Sequence, residues 1–278
     1  MQHQEGRFQG VGGFELFMQS WHPAGDKQGV VVIIHGLGEH SGRYGNVIQK
    51  LVPAGFALYS FDHRGHGRSP DRQCAHVNDW GEYRADVQAF LDLVREREPG
   101  LPLFLFGHSM GGLITLNYVL HQPEGLQGVV ASAPALVPPQ ASLPLRLAAQ
   151  ALARLSPQTQ LDNGLDVTGL ARDTAVITAY QKDPLVHGKV SARWVAEFQK
   201  TIAWTLAHAE AFKPPLLIYH GDADRLVPIG GGQQFFEKVQ QPDKKYIMYP
   251  GGYHEGHNDT HQEQVLADLQ NWLVAHLP

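Results

Sequence analysis

The chain holds a single cysteine, Cys74, among 278 residues, which rules out a framework of disulfides within the monomer. It also lacks an excess of positive charge: 22 Lys and Arg stand against 27 Asp and Glu, for a formal net charge of -5. A nucleic-acid partner is therefore not expected, because nothing in this balance would neutralise a phosphate backbone. No run approaches the ~20 apolar residues of a membrane-spanning helix, and no charged segment followed by an apolar stretch opens the chain. These absences make a cytoplasmic protein the expectation, with peripheral contact at a membrane as a second reading. Internal repeats and low-complexity tracts are missing too. Gly65-x-Gly67 and Gly230-Gly231-Gly232 lack the full dinucleotide or Walker spacing, so both read as turns.

What is present is a 43% hydrophobic content, enough over this length to fill one sizeable core. Apolar segments at 30–34, 57–62, 103–106 and 128–132 read as core strands, after an early antiparallel strand at 14–21. A helix at 79–97 is stopped by Pro99-Gly100. Such alternation predicts an α/β fold with a mostly parallel central sheet and helices on both faces. After Ala133-Pro134 the alternation stops, and residues 136–212 read as helical without convincing strands. It resumes at Leu216 and closes on a helix at 261–277. The expected division is a core part at 1–135, a helical cap insertion at 136–212 and a second core part at 213–278.

Within this order, Gly107-His108-Ser109-Met110-Gly111 lies where the strand at 103–106 meets a helical pattern. A G-x-S-x-G at a strand-to-helix junction is the nucleophile elbow of an α/β-hydrolase. The serine sits on a tight, strained turn that side chains at the flanking positions would obstruct. Its hydroxyl is presented at a helix N-terminus, whose dipole favours negative charge developing there.

An acid and a base follow in the order this fold uses, Ser, then acid, then His. After the strand at 216–219, the segment Gly221-Asp222-Ala223-Asp224 offers two carboxylates. Asp224 is favoured, since a loop turning back from the glycine directs its fourth residue inward; Asp222 then reads as a solvated or turn-capping carboxylate. His254 follows the strand at 246–249 in the glycine-rich Gly251-Gly252-Tyr253-His254 and is the candidate base. The oxyanion donors would be the backbone N–H groups of Met110, next to the nucleophile, and of Leu37 in His35-Gly36-Leu37-Gly38.

Taken together, His35 to Tyr44, Asp62-His63-Arg64-Gly65-His66-Gly67-Arg68-Ser69, Gly107 to Gly112 and Gly221 to Val227 resemble the monoacylglycerol lipase and lysophospholipase-like serine hydrolases over almost the whole chain. The resemblance implies Ser109 as nucleophile, Asp224 as acid, His254 as base, and Leu37 and Met110 as oxyanion donors. It also implies a polar pocket for a glycerol head group at Glu39, Arg43 and His257. Without it, Glu39 and Arg43 would read as an ordinary surface ion pair. The expected activity is hydrolysis of monoacylglycerol through an acyl-enzyme, with lysophospholipase or a broad short-chain esterase or thioesterase as alternatives. A hydrolase-fold binding module without turnover is the reading from another class, and such a module would usually lack a triad member.

No metal or organic cofactor is expected. His254, His257 and His261 do not follow H-E-x-x-H spacing, and Gly256 weakens any continuous helix that would align them. Asp62 to Ser69 reads as a structural loop beside the elbow, with Asp62 and Arg64 tying backbone groups. In the cap, Leu143, Leu145, Leu147, Ala148, Ala151, Leu152 and Leu155 form an apolar surface with Arg146 and Arg154 as its charges. It either lines an acyl tunnel or docks on lipid. The partner expected is a small-molecule lipid ester; oligomeric state has no signal in the sequence.

Overall fold

Gly29–Ile34 is buried along its whole length, as a strand covered on both faces must be. The computed structural model describes residues 1–69, 73–138 and 150–278. Its strands are β1 (Gln2–Gln9), β2 (Glu15–His22), β3 (Gly29–Ile34), β4 (Phe56–Phe61), β5 (Leu103–His108), β6 (Gly128–Ser132), β7 (Gln160–Asp162), β8 (Lys189–Ser191), β9 (Leu216–Gly221) and β10 (Lys244–Tyr249). Eight of them form one sheet in the order β1-β2-β4-β3-β5-β6-β9-β10. The β1/β2 and β2/β4 pairs are antiparallel, and every other pair is parallel.

Side-chain alternation along β3 splits the core in two. Val30, Val32 and Ile34 pack with residues of α2 (Gly81–Arg97) and α3 (Met110–His121), including Phe90 and Leu113. Val31 and Ile33 pack on the other face with Val47 and Leu51 of α1 (Gly45–Leu51) and Leu269 of the C-terminal helix Gln262–Ala275. Each such aliphatic side chain contributes about 1.5–3 kcal/mol on burial. The fold is that of an α/β-hydrolase.

Several elements differ from the sequence reading. β1 has the sequence QHQEGRFQ and an almost wholly exposed burial pattern, so as an edge strand it carries no apolar alternation to read. Between β6 and β9, β7 and β8 pair antiparallel where only helices were expected. Each is three residues long, too short to show a period of two. This stretch also holds α4 (Thr174–Lys182) and α5 (Ala192–Ala207), whose N-termini are capped by Asp173 and Ser191. Gly230-Gly231-Gly232 is not a turn but the start of α6 (Gly230–Lys238). A Cβ on Gly231 would lie 2.6 Å from the Leu136 carbonyl carbon, so close backbone approach explains that glycine. The C-terminal helix Gln262–Ala275 is α7. Of the apolar cap surface, Leu143, Leu145, Leu147 and Ala148 lie outside the described residues. Residues 150–155 are helical, with Leu155 86% exposed.

Because β5, β6, β9 and β10 are neighbours and run parallel, the loops leaving β5, β9 and β10 emerge at one edge, beside the loop that leaves β3. Ligands of open α/β sheets bind at that carboxyl edge.

Candidate active site

Ser109 follows the last residue of β5 and precedes the first of α3, with φ 54° and ψ -118°. A non-glycine residue at positive φ is strained, and the surroundings hold it there. Ser109 N–H donates to the Ser132 carbonyl (2.9 Å), and the Ser109 carbonyl accepts from Leu113 (3.1 Å) and Ala135 (3.0 Å). A Cβ on Gly107 would collide with the Gly111 carbonyl oxygen, and one on Gly111 with those of Ile34 and His35. The flanking glycines are thus set by backbone approach between β3, β5 and α3.

Asp224, four residues along from His220 of β9, has a carboxylate with no exposed surface. Its Oδ1 accepts from the backbone N–H groups of Leu226 (2.8 Å) and Val227 (2.9 Å). Its Oδ2 accepts from His254 Nδ1 (2.7 Å) and from His220 Nε2 (2.9 Å). Burial would raise this carboxyl's pKa, but His254 and His220 outweigh it and hold it well below the usual carboxylate range. Burial would likewise lower His254, and Asp224 outweighs it, so the imidazole lies above its ordinary 6.5. Asp222 is exposed, and its Oδ1 accepts from Gly251 N–H (2.6 Å), tying the loop of Asp224 to the loop of His254.

Ser109 and His254 line one cavity of about 40 Å³ with Gly36, Leu37, Glu39 and Arg43. The Ser109 hydroxyl and the free nitrogen of His254 are not hydrogen-bonded to each other here; such bonds often tighten only with substrate bound. Neither the Leu37 N–H nor the Met110 N–H donates to a partner among the described residues. Nucleophile-type serine, buried His–Asp pair and two available N–H groups form a constellation suited to acyl transfer.

Glu39 and Arg43 line the cavity but are largely committed to each other and to Glu255. Arg43 donates to Glu39 Oε2 (3.0 Å) and forks onto both oxygens of Glu255 (2.7 and 2.9 Å). Glu39 Oε1 accepts from Gly36 N–H (2.6 Å) and the Tyr44 hydroxyl (2.8 Å). Burial wins at Glu39, raising its pKa, whereas at Glu255 burial is outweighed by Arg43, and its pKa falls. His257 is not among the residues lining the cavity. It is fully buried, with its ring stacked on Tyr44 at 5.1 Å and both nitrogens unpartnered, and burial pushes its pKa down to about 4.

His254, His257 and His261 are not drawn together: His261 instead meets Arg172 (2.6 Å). Asp62 behaves as the sequence suggests, accepting from Ser41 N–H (2.8 Å) and Arg68 N–H (2.7 Å). Arg64 ties the Val11 carbonyl (3.3 Å) and, more tightly, the carboxylate of Asp86 (2.8 Å to each oxygen). Sequence reasoning missed His220 and the role of Glu255. Each had a signal: a histidine closing an otherwise apolar strand, and an acidic residue beside the base in a loop facing Arg43.

Residues 25–261 match the family described as serine aminopeptidase, S33 (Hydrolase_4). The chain is 38% identical over 276 residues to a monoacylglycerol lipase of Mycolicibacterium smegmatis, covering 98% of both chains. It is 36% identical to phospholipase YtpA of Bacillus subtilis, covering 85% of this chain and 91% of that one. Among solved structures, that of Paleococcus ferrophilus monoacylglycerol lipase superposes with a TM-score of 0.85 at 36% identity, over 94% of this chain and 99% of the other. The chain therefore belongs to the Hydrolase_4 family and is an enzyme, a serine hydrolase built on the α/β-hydrolase fold.

Proposed function

We propose that the chain hydrolyses monoacylglycerol to a fatty acid and glycerol through an acyl-enzyme on Ser109. The observation that carries this is the buried Asp224–His254 pair sharing a cavity with Ser109, in a chain so similar to proteins named as monoacylglycerol lipases. His254 takes the Ser109 proton as the hydroxyl attacks the ester carbonyl, and Asp224 fixes the imidazole tautomer and stabilises the imidazolium. The Leu37 and Met110 N–H groups receive the developing oxyanion. His254 then passes its proton to the glycerol oxygen, and water repeats the cycle on the acyl-enzyme.

Glu39, Arg43 and, behind them, His257 form the polar side of this reading, the glycerol head lying against Glu39 and Arg43. The same reading takes 136–212 as a cap over a core of 1–135 and 213–278. Leu165 lines the cavity and is 36% exposed, which gives the mouth an apolar edge for peripheral contact with a lipid surface. No helix among the described residues is long and apolar enough to cross a membrane. The similarity to phospholipase YtpA supports a second reading, hydrolysis of lysophospholipid.

The test is kcat/KM for a monoacylglycerol, the matching lysophospholipid and the matching methyl ester, with Ser109→Ala as control. Ser109→Ala should fold normally and lose several orders of magnitude in turnover. The wild type should prefer the monoacylglycerol about tenfold over the methyl ester, since the latter leaves polar groups without hydroxyl partners. Activity retained by folded Ser109→Ala overturns the mechanism. A preference for lysophospholipid installs the second reading.

A further inference from the structure

The Asp224 carboxylate receives a second imidazole that the triad chemistry does not require. His220 Nε2 lies 2.9 Å from Oδ2, the same oxygen that accepts from His254, and 3.0 Å from the Val227 carbonyl. Both of these neighbours are acceptors, so Nε2 carries the proton and shares it between them. The opposite nitrogen, Nδ1, is buried without a partner, and the side chain has no exposed surface. All the polar contacts of this ring therefore run to the acid-bearing loop. His220 lies within β9, paired in the sheet to Met248 of β10, whereas Asp224 lies in the loop beyond.

We infer that His220 is a positioning residue, holding Oδ2 of Asp224 in line with His254 and sharing the charge of that oxygen. The inference rests on the reading of Asp224 and His254 as acid and base. Two backbone donors hold Oδ1, while on Oδ2 the His220 N–H stands beside that of His254. The His220 donor holds Oδ2 in place independently of His254, while the His254 ring accepts and releases the Ser109 proton. It also divides the negative charge of Oδ2 between two N–H groups, which tempers the basicity that Asp224 induces in His254. Other groups act on His254 as well: Glu255 and His257 from its own loop, His108 from the end of β5 with its ring 4.7 Å away, and Glu39 from the loop after β3. None of these is altered by a change at His220.

The experiment compares His220→Leu, which removes the donor, with His220→Gln, whose side-chain amide restores an N–H on a stem of similar reach. Ester hydrolysis is measured against pH, with sites counted by a fluorophosphonate label so that unfolded molecules do not enter the rate. His220→Leu should lower kcat about tenfold with KM nearly unchanged, the scale on which losing a residue that orients a functional group is felt. Its acidic limb should move up by about half a pH unit, because the imidazolium of His254 gains the undivided charge of Oδ2. His220→Gln should return both towards wild type. An unshifted limb in His220→Leu, or equal impairment in the two variants, overturns the proposal by reducing His220 to packing. Should His220→Leu not fold, His220→Asn, whose shorter amide falls short of Oδ2, replaces it with the same expected outcome. Asp224→Asn is run alongside: if it stays active, the reading of the acid fails, a result distinct from an unshifted limb with Asp224→Asn inactive.

Discussion

Asp224, the proposed acid, and its neighbour Asp222 differ in what their oxygens touch. Asp224 is closed off from solvent and receives four donors, while exposed Asp222 accepts one backbone N–H from Gly251. Asp224→Asn should cost on the order of 10⁴-fold in kcat, because an amide can present an N–H to His254 and favour the wrong tautomer. Asp222→Asn keeps a carbonyl oxygen for Gly251 and should remain within a few-fold of wild type; kcat for both, beside melting curves, checks this. The pH dependence follows from the same pair. Burial lowers His254 and Asp224 more than compensates, so the imidazole titrates above 6.5. The base must be neutral to act, so kcat/KM should fall as pH drops through a value above 6.5 and plateau on the alkaline side. A limb centred well below that value would mean that Asp224 does not govern His254. That Ser109, Asp224 and His254, the proposed triad, would lie at one sheet edge was legible in the sequence because each is announced by glycines after an apolar strand. His220 gave a weaker signal, because a single histidine near the end of an apolar strand reads equally as a core residue until its partner across the turn is known. His257 shows the converse, since the family pattern supplies the residue type but not the burial that removes its ring from the cavity lining.

At the scale of elements, the loops after β3 and β10 are joined by one guanidinium between two buried carboxylates. Arg43 neutralises Glu39 on its own loop and Glu255 on the loop that carries His254, and its side chain is 9% exposed. Removing one partner of a buried ionic cluster is costly because the remaining charges stay desolvated. Arg43→Ala should therefore lose about 3–5 kcal/mol of stability, read by urea denaturation, in addition to any effect on glycerol recognition. A variant of unchanged stability with a raised KM for monoacylglycerol alone would instead make Arg43 purely a head-group residue. The elements themselves were legible where burial is two-sided: β3, β5 and β6 are near-continuous apolar runs, and their strand-to-loop junctions carried the motifs. β1 escaped notice because an exposed edge strand needs no apolar face. α6 escaped because its first three residues are glycines, the middle one, Gly231, set by the close approach of Leu136 rather than by helix propensity.

For the molecule as a whole, the question is how a lipid reaches Ser109 when the cavity there measures about 40 Å³, room for roughly one water molecule. Ligand sites for molecules of lipid size are typically of order 300–1,000 Å³, so we predict that turnover of a long-chain ester is accompanied by displacement of described residues between 150 and 212 that face the cavity. The described residues of that stretch are fastened at several places, two of them near the cavity. At one, Gly169 and Leu170 carbonyls accept from His254 and Glu255 N–H (3.4 and 2.8 Å), beside the base itself. At the other, His187 N–H donates to the Gly38 carbonyl (3.0 Å), and His40 meets Asp183 (2.9 Å). The His40–Asp183 contact is one of the fastenings that a single side chain can weaken, and it lies on the side away from Gly169 and Leu170. His40 Nδ1 accepts from Gly42 N–H, so Nε2 carries the proton and donates to Asp183 Oδ2. Asp183→Asn keeps an acceptor for Leu185 N–H but loses the charge on the His40 contact, which weakens it. If opening or product release limits long-chain turnover, as lid motions often do, this variant should raise kcat for a long-chain monoacylglycerol about two- to threefold, the order expected from losing part of one partly exposed charged contact. The rate on a short acetyl ester, which demands far less space, should stay as in wild type. The measurement is the ratio of the two kcat values in both proteins; an unchanged ratio would show that breaking the His40–Asp183 contact does not limit long-chain turnover.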